Sequence, residues 1–204
     1  MKLPLTDLIA LAAIIVWPVI PLFWIPVHCL PRFFRRIGLF TYLLPVLTWL
    51  PLAYGIILYR HFFLSGTIQM PAVVNGAGWV LITAGLALQL WRLLLLRLPG
   101  IMGMPEIMSR MQGRMVTSGP FGKVRHPTYL SHTMMFLGVF LSSGVISVGI
   151  ITILDLIVVN AVVIPLEERE LVARFGDEYE HYRRNVRGRI VPWRGRGSKE
   201  KAGG

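Results

Sequence analysis

Apolar residues run along this chain in blocks longer than a soluble fold uses. Residues 8–31, 37–59 and 61–91 contain no Asp, Glu, Lys or Arg, and 127–166 contains only Asp155. A helix crossing the hydrocarbon core needs about 20 mostly apolar residues, so the first two blocks each predict one membrane span. Within the third, residues 65–75 read as a loop, which places a span at 76–96. The fourth block is 40 residues long, about 60 Å as a helix and roughly twice the ~30 Å core. Ser142, Ser143 and Gly144 near its middle are a turn signal, so the block predicts a helical hairpin, 127–143 and 145–166. The expected architecture is an all-α integral membrane protein: five transmembrane helices in a single domain, 1–193, then a Gly- and charge-rich tail, 194–204, expected to be disordered.

Composition agrees. Of the 204 residues, 54% are apolar and 15% charged, against roughly 45–50% and 25% in soluble domains. Soluble, disordered and disulfide-scaffold classes are excluded, and the single cysteine, Cys29, forms no internal disulfide. The formal charge of +11 would suggest nucleic acid in a soluble protein, but its placement points to a membrane surface. Nineteen of the 21 Lys and Arg follow spans one, three and five, and only Lys2 and Arg60 fall on the other side. The excess predicts an N-terminus outside and a cytoplasmic long loop and tail. Pro18, Pro21, Pro26 and Pro31 interrupt the first block, which is longer than a signal peptide's apolar region. A retained, kinked span is expected, with freed carbonyls satisfied by neighbouring helices or water.

Chemistry has two segments to occupy, 92–126 and 167–204. Met102, Met104, Met108, Met111 and Met115 crowd the first. They read either as an adaptable lining for a cofactor or lipid pocket or as an amphipathic helix resting on the bilayer. After them, Gly119, Pro120 and Gly122 make a loop. His126 before proline is pushed to extended backbone, and Pro127 suits the first position of a helix. Free amides at Thr128 and Tyr129, with Arg125 beside them, then form an anion site at the membrane surface. The plain alternative is that Arg125 and His126 anchor a span among headgroups. On the last span, Leu156, Asn160, Val163 and Glu167 share a face at 100° per residue, where Glu167 can meet a cationic ligand. Asp155 is assigned a structural role, and Glu168 and Glu170 are assigned ion pairs with Arg169 and Arg174. The Arg183–Arg189 cluster suits anionic lipid. Dinucleotide-binding, P-loop and zinc motifs are absent from the sequence, and no metal site or nucleic-acid partner is expected.

Arg125-His126-Pro127-x-Tyr129, Glu167-Glu168 after a hairpin, Phe175-Gly176-Asp177-Glu178-Tyr179-x-x-Tyr182 and a late Pro192 together resemble the isoprenylcysteine carboxyl methyltransferase family, and phospholipid methyltransferases carry a related pattern. The resemblance covers roughly 106–192. It implies an integral-membrane enzyme that uses S-adenosylmethionine, bound in a cytoplasmic pocket capped by the C-terminal segment, with a lipid-like acceptor entering from the bilayer. Carried over by matching position, its cofactor contacts fall on Glu106, Gly113, Arg114, Met115, Val116, Phe121, His126, Pro127, Thr128, Tyr129 and Glu167. The family's substrate contact falls on Val163, and Arg125 and Asn160 are assigned to the substrate beside it, Asn160 from the shared helix face and Arg125 as the cation that could replace the missing arginine. Val163 stands where prenylcysteine enzymes have an arginine, a departure that favours a neutral acceptor. Gly113, Met115, Phe121 and Ser131 also differ from the eukaryotic pattern. The implied reaction is methyl transfer to a lipid-like or hydrophobic acceptor. The alternatives are phospholipid (ethanolamine) N-methylation, an NADPH-dependent membrane reductase sharing the fold, and a non-catalytic scaffold or permease.

Overall fold

The computed structural model describes residues 3–101, 104–107 and 115–192, with backbone alone at 97–101, 105 and 106. The expected disordered tail, 194–204, lies outside the described residues. Helices make up the described chain, and the one β-type pairing is an isolated bridge between Thr67 and Val145.

Four helical segments are long and apolar enough to cross a membrane: Leu5–Cys29, Pro31–Leu58, Ala72–Leu96 and Ile146–Phe175. The first is broken by its prolines. Helix α1 (Leu5–Val16) stops ahead of Pro18, a π-helical turn (Ile20–Trp24) surrounds Pro21, and α2 (Ile25–Cys29) follows. Proline removes an N–H and loosens the ladder around it. A neighbour satisfies one carbonyl at this break, as the Trp49 indole donates to Ile15 O at 2.6 Å. Helix α3 (Pro31–Ile37) and a 3₁₀ turn lead into α4 (Leu43–Leu58), which ends the second segment, and the short α5 (Arg60–Leu64) follows it. Leu47, Val73 and Leu94 each expose over 70% of their surface, the pattern of a face turned to lipid rather than water.

Helix α6 (Ala72–Ile101) begins inside the stretch expected to be a loop, and α7 (Met104–Ile107) follows it. Helix α8 (Pro127–Ser143) lies antiparallel to α6 along most of its length. The two backbones approach closely at small residues: a Cβ on Gly78 would meet Gly138 O at 2.7 Å, and one on Gly85 would meet Ser131 O at 3.0 Å. Small residues permit such contact where apolar burial alone gives no preference between helix and lipid. Hydrogen bonds run across the same seam, from Asn75 Nδ2 to Ser142 O at 2.8 Å and from Ser131 Oγ to Gln89 Oε1 at 2.6 Å. At 17 residues, α8 is about 26 Å long, at the short end of what crosses a ~30 Å core; it stands beside the four longer apolar segments found among the described residues.

Gly144, at φ +69°, reverses the chain into α9 (Ile146–Val158), as the Ser-Ser-Gly signal predicts. The turn is held by Ile68 N donating to Gly144 O at 2.8 Å and Ile146 N to Gly66 O at 2.9 Å. Asp155 is buried on α9 and accepts from Trp17 Nε1 at 3.1 Å, a structural tether between the first segment and the hairpin. A π-helical stretch, Val159–Val163, then joins α9 to α10 (Ile164–Phe175). Gly176, at φ +54°, turns the chain into α11 (Asp177–Asn185).

Candidate functional site

The site forms where the start of α8, the start of α10 and the C-terminal segment meet. The bend that Pro127 imposes delivers His126 and Tyr129 to one side, and Pro165 at the start of α10 precedes Glu167 and Glu168. Tyr129 Oη donates to Glu167 Oε2 at 2.9 Å. His126 lies between the two carboxylates, Nδ1 at 3.6 Å from Glu167 Oε2 and Nε2 at 3.2 Å from Glu168 Oε1. Burial works against charging this ring, but the hydrogen bonds and charges of Glu167 and Glu168 outweigh it and hold its pKa above the ordinary value. A ring with a carboxylate at each nitrogen is best satisfied as the imidazolium, which donates from both.

Arg125 ties this pair to the end of the chain. Its Nε donates to Glu168 Oε1 at 2.8 Å, and Nη1 donates to the carbonyls of Val186 and Arg187 at 2.7 and 2.8 Å. Backbone bonds reinforce the contact, from Arg125 N to Gly188 O and from His126 N to Arg189 O, both 2.9 Å. Tyr182 Oη donates to Phe121 O at 2.7 Å, so α11 closes on the loop before His126. Glu168 therefore pairs with Arg125 and His126, with Arg189 at 3.8 Å, not with Arg169 or Arg174 as expected. Glu170 does pair with Arg174, at 3.5 Å, and also with Arg35 at 3.0 Å.

Other expected site residues are distributed unevenly. Pro127 is fully buried and Thr128 half-buried at the helix start. The Tyr129 amide donates to His126 O at 3.2 Å, so it is not the free donor that helix-end reasoning supplied. Met115 and Val116 are partly buried in the non-helical stretch leading to the 3₁₀ turn Gly119–Gly122. Val163 is 1% exposed and packs with Tyr129, Val159 and Ile164 in an apolar cluster beneath the carboxylates. Asn160 donates its amide to Leu156 O on its own helix at 2.8 Å. The π-helical stretch has a wider turn than the α-helix, so residues 156, 160, 163 and 167 do not keep one face: Leu156 is exposed and Val163 buried. Gly113 and Arg114 lie outside the described residues, and only the backbone of Glu106 is described.

Three residues at the site were missed by the sequence reading. Arg92 on α6 is 6% exposed, and its Nε is buried without a hydrogen-bond partner. It lies within Coulombic reach of Glu167 and Tyr129. His132 on α8, its Nδ1 likewise unpartnered, is within reach of Arg92. His28 on α2 is within reach of Glu167. An arginine with an orphaned nitrogen inside an apolar span is a functional marker, because structure alone gives no return for burying it. The signal was in the sequence: Arg92, Gln89, His28 and His132 are polar residues inside apolar runs. Among the described residues no His, Cys, Asp and Glu cluster suits a metal.

The fold and site define a helical membrane protein in which a half-buried carboxylate, Glu167, a buried one, Glu168, and the buried His126 and Arg125 converge at helix ends. Residues 73–178 match the phospholipid methyltransferase family, and the chain belongs to that family of methyltransferases. It is also similar to methanethiol S-methyltransferase 1 of Bradyrhizobium diazoefficiens, 30% identical over 129 residues, which cover 59% of this chain and 41% of that one. The aligned region is thus well under half the length of that relative. No solved structure matches the chain.

Proposed function

We propose that this protein transfers a methyl group from S-adenosylmethionine to a hydrophobic acceptor at the cytoplasmic side of a membrane. The observation that carries the reading is the opposition of Glu167 and Arg92. Glu167 is held by Tyr129 and His126, while Arg92 has an unpartnered, buried Nε within Coulombic reach of it. A carboxylate and a guanidinium within Coulombic reach of one another match in sign the ammonium and carboxylate of a methionine moiety. The residues present therefore fit the cofactor: Glu167 would take the ammonium or a ribose hydroxyl, Arg92 with the Thr128 amide would take the carboxylate, and Phe121 and Met115 offer apolar surface. The folded-back segment 176–192 would cap them. Bound there, S-adenosylmethionine supplies an electrophilic methyl group on a sulfonium, so the protein has to position the reactants and exclude water.

The same reading makes α8 and α9 a membrane hairpin, giving five spans, an outside N-terminus and a cytoplasmic site, as the basic residues favour. Arg169, Arg183 and Arg189 border an open groove of about 530 Å³ between α10 and α11 together with Glu168 and Glu180, which pair with Arg189 and Arg183 and leave Arg169 as the cation for an anionic headgroup. Val163 sits in an apolar cluster, which supports a neutral acceptor over a prenylcysteine carboxylate. Phosphatidylethanolamine and small thiols are the acceptors to test beside it, the latter because the similar bacterial chain is named for a thiol.

The test is calorimetric binding of S-adenosylhomocysteine to detergent-purified protein, with NADPH as the control. Binding lost in Glu167→Ala and His126→Ala supports the reading. Binding of NADPH alone would make the protein a reductase and overturn it.

A further inference from the structure

His28 lies outside the residues matched to the family and outside the hydrogen-bond network above. It is 8% exposed near the end of the first helical segment, in α2, which packs against α10. Its Nδ1 sits 2.9 Å from Trp24 O. A carbonyl oxygen can only accept, so Nδ1 carries the hydrogen, and in the neutral ring Nε2 is left with a bare lone pair. That Nε2 is buried and has no partner, and the ring lies within Coulombic reach of Glu167. The geometry therefore presents a buried, unpartnered ring nitrogen, its tautomer fixed from behind, on a helix packed against the one that carries Glu167.

We infer that His28 is the catalytic residue that removes a proton from the methyl acceptor, and that the acceptor is a hydrophobic thiol. This rests on the methyltransferase reading of the same site. A lone pair at Nε2 repels a carboxylate and invites an X–H donor. Among uncharged X–H donors a thiol, with an ordinary pKa of about 8.5, parts with its proton more readily than a phenolic hydroxyl at about 10. In the step, the S–H bond breaks and its electron pair stays on sulfur. An Nε2–H bond forms, and the thiolate attacks the methyl carbon of the sulfonium donor, whose own S–CH3 bond breaks with its electron pair kept on the donor sulfur, so that neutral S-adenosylhomocysteine and the thioether leave and the proton on Nε2 passes to solvent.

The test uses the full chain in detergent with S-adenosylmethionine and 1-octanethiol. His28→Asn keeps an amide donor for the Trp24 carbonyl but removes Nε2, and His28→Gln keeps polarity at that position without basicity. Both should bind S-adenosylhomocysteine within about twofold of wild type. Both should lose octanethiol kcat/KM by roughly 100-fold or more, the usual contribution of a general base. An aryl thiol already ionised at the assay pH should lose far less. Independently of turnover, ¹⁵N spectra of histidine-labelled protein should show His28 with hydrogen on Nδ1 and a bare Nε2, and the Nε2 resonance should move when octanethiol is added. Equal defects with both thiols, unchanged octanethiol turnover, hydrogen on Nε2, or no octanethiol turnover by a protein that binds S-adenosylhomocysteine each overturn the role of His28 and leave the cofactor reading intact. Failure of wild type to bind S-adenosylhomocysteine overturns both. If neither variant folds, the wild-type spectra decide.

Discussion

Arg125 and Glu168 form an ion pair at 2.8 Å in which the two side chains expose only 6% and 7% of their surface. One partner precedes α8 and the other lies in α10, and the same arginine binds the carbonyls of Val186 and Arg187. Thus one side chain joins the loop, the carboxylate pair and the C-terminal segment. Glu168→Ala leaves that guanidinium buried without its anion. Breaking a buried pair from one side costs about 3–5 kcal/mol, so we expect a loss of that order in mixed-micelle unfolding followed by circular dichroism. Hydrogen exchange should rise first at 186–189, where the backbone bonds to Arg125 and His126 are made. An unchanged exchange pattern would show that the segment is held by α11 packing alone.

His126 gives the protein a pH dependence of known sign. Its folded pKa lies above the ordinary histidine value because Glu167 and Glu168 outweigh burial. The protonated ring is therefore favoured by the folded state. Its contribution is complete below the unfolded value, about 6.5, and is lost as pH rises through the higher folded pKa. Stability should fall over that window in wild type, and the slope should flatten in His126→Gln. A titration of histidine ring resonances checks the same shift directly.

Much of the layout was legible because it rests on local rules. Charge-free runs mark the apolar helices, Gly144 marks the hairpin turn, and Pro127 marks the start of α8. The family resemblance grouped His126, Tyr129 and Glu167 as cofactor contacts, and the fold brings the three side chains together. Other relationships depend on geometry that spacing does not encode. The π-helical stretch at Val159–Val163 breaks the 100° arithmetic that grouped Asn160 with Glu167. Glu168 was assigned neighbours on its own helix, yet its partners arrive from position 125 and from the end of the chain. Arg92 falls inside the expected span 76–96 and inside α6, but which residues it faces depends on the fold.

The α6–α8 seam predicts opposite signs for two glycine substitutions. A Cβ on Gly138 would meet Gly78 O at 2.7 Å and Ile82 N at 2.9 Å, backbone atoms that move only with their helix, while a Cβ on Gly76 meets nothing within 4 Å. Gly138→Ala should destabilise by about 1–3 kcal/mol, the usual cost of overpacking. Gly76→Ala should leave stability unchanged or raise it by up to about 1 kcal/mol through helix propensity. Thermal denaturation of both variants in one detergent is sufficient. A tolerated alanine at 138 would mean that α6 and α8 are free to separate.

Arg92 gives a prediction in which stability and function part. Its guanidinium is buried in an apolar helix with Nε unpartnered, an arrangement that works against the fold. Arg92→Met keeps the length and apolar character of the stem while removing the charge. Replacing buried ionic groups with apolar ones of similar volume is often neutral or stabilising. If Arg92 is retained to receive a cofactor carboxylate, Arg92→Met should unfold at an equal or higher temperature yet bind S-adenosylhomocysteine at least roughly tenfold more weakly. That weakening matches the ~1.5–3 kcal/mol expected of a charged hydrogen bond. Glu167 should keep Tyr129 and His126 as partners in the variant, so a loss of affinity would report on Arg92 itself. A variant both less stable and unchanged in affinity would make Arg92 a structural residue and remove the cationic half of the proposed site.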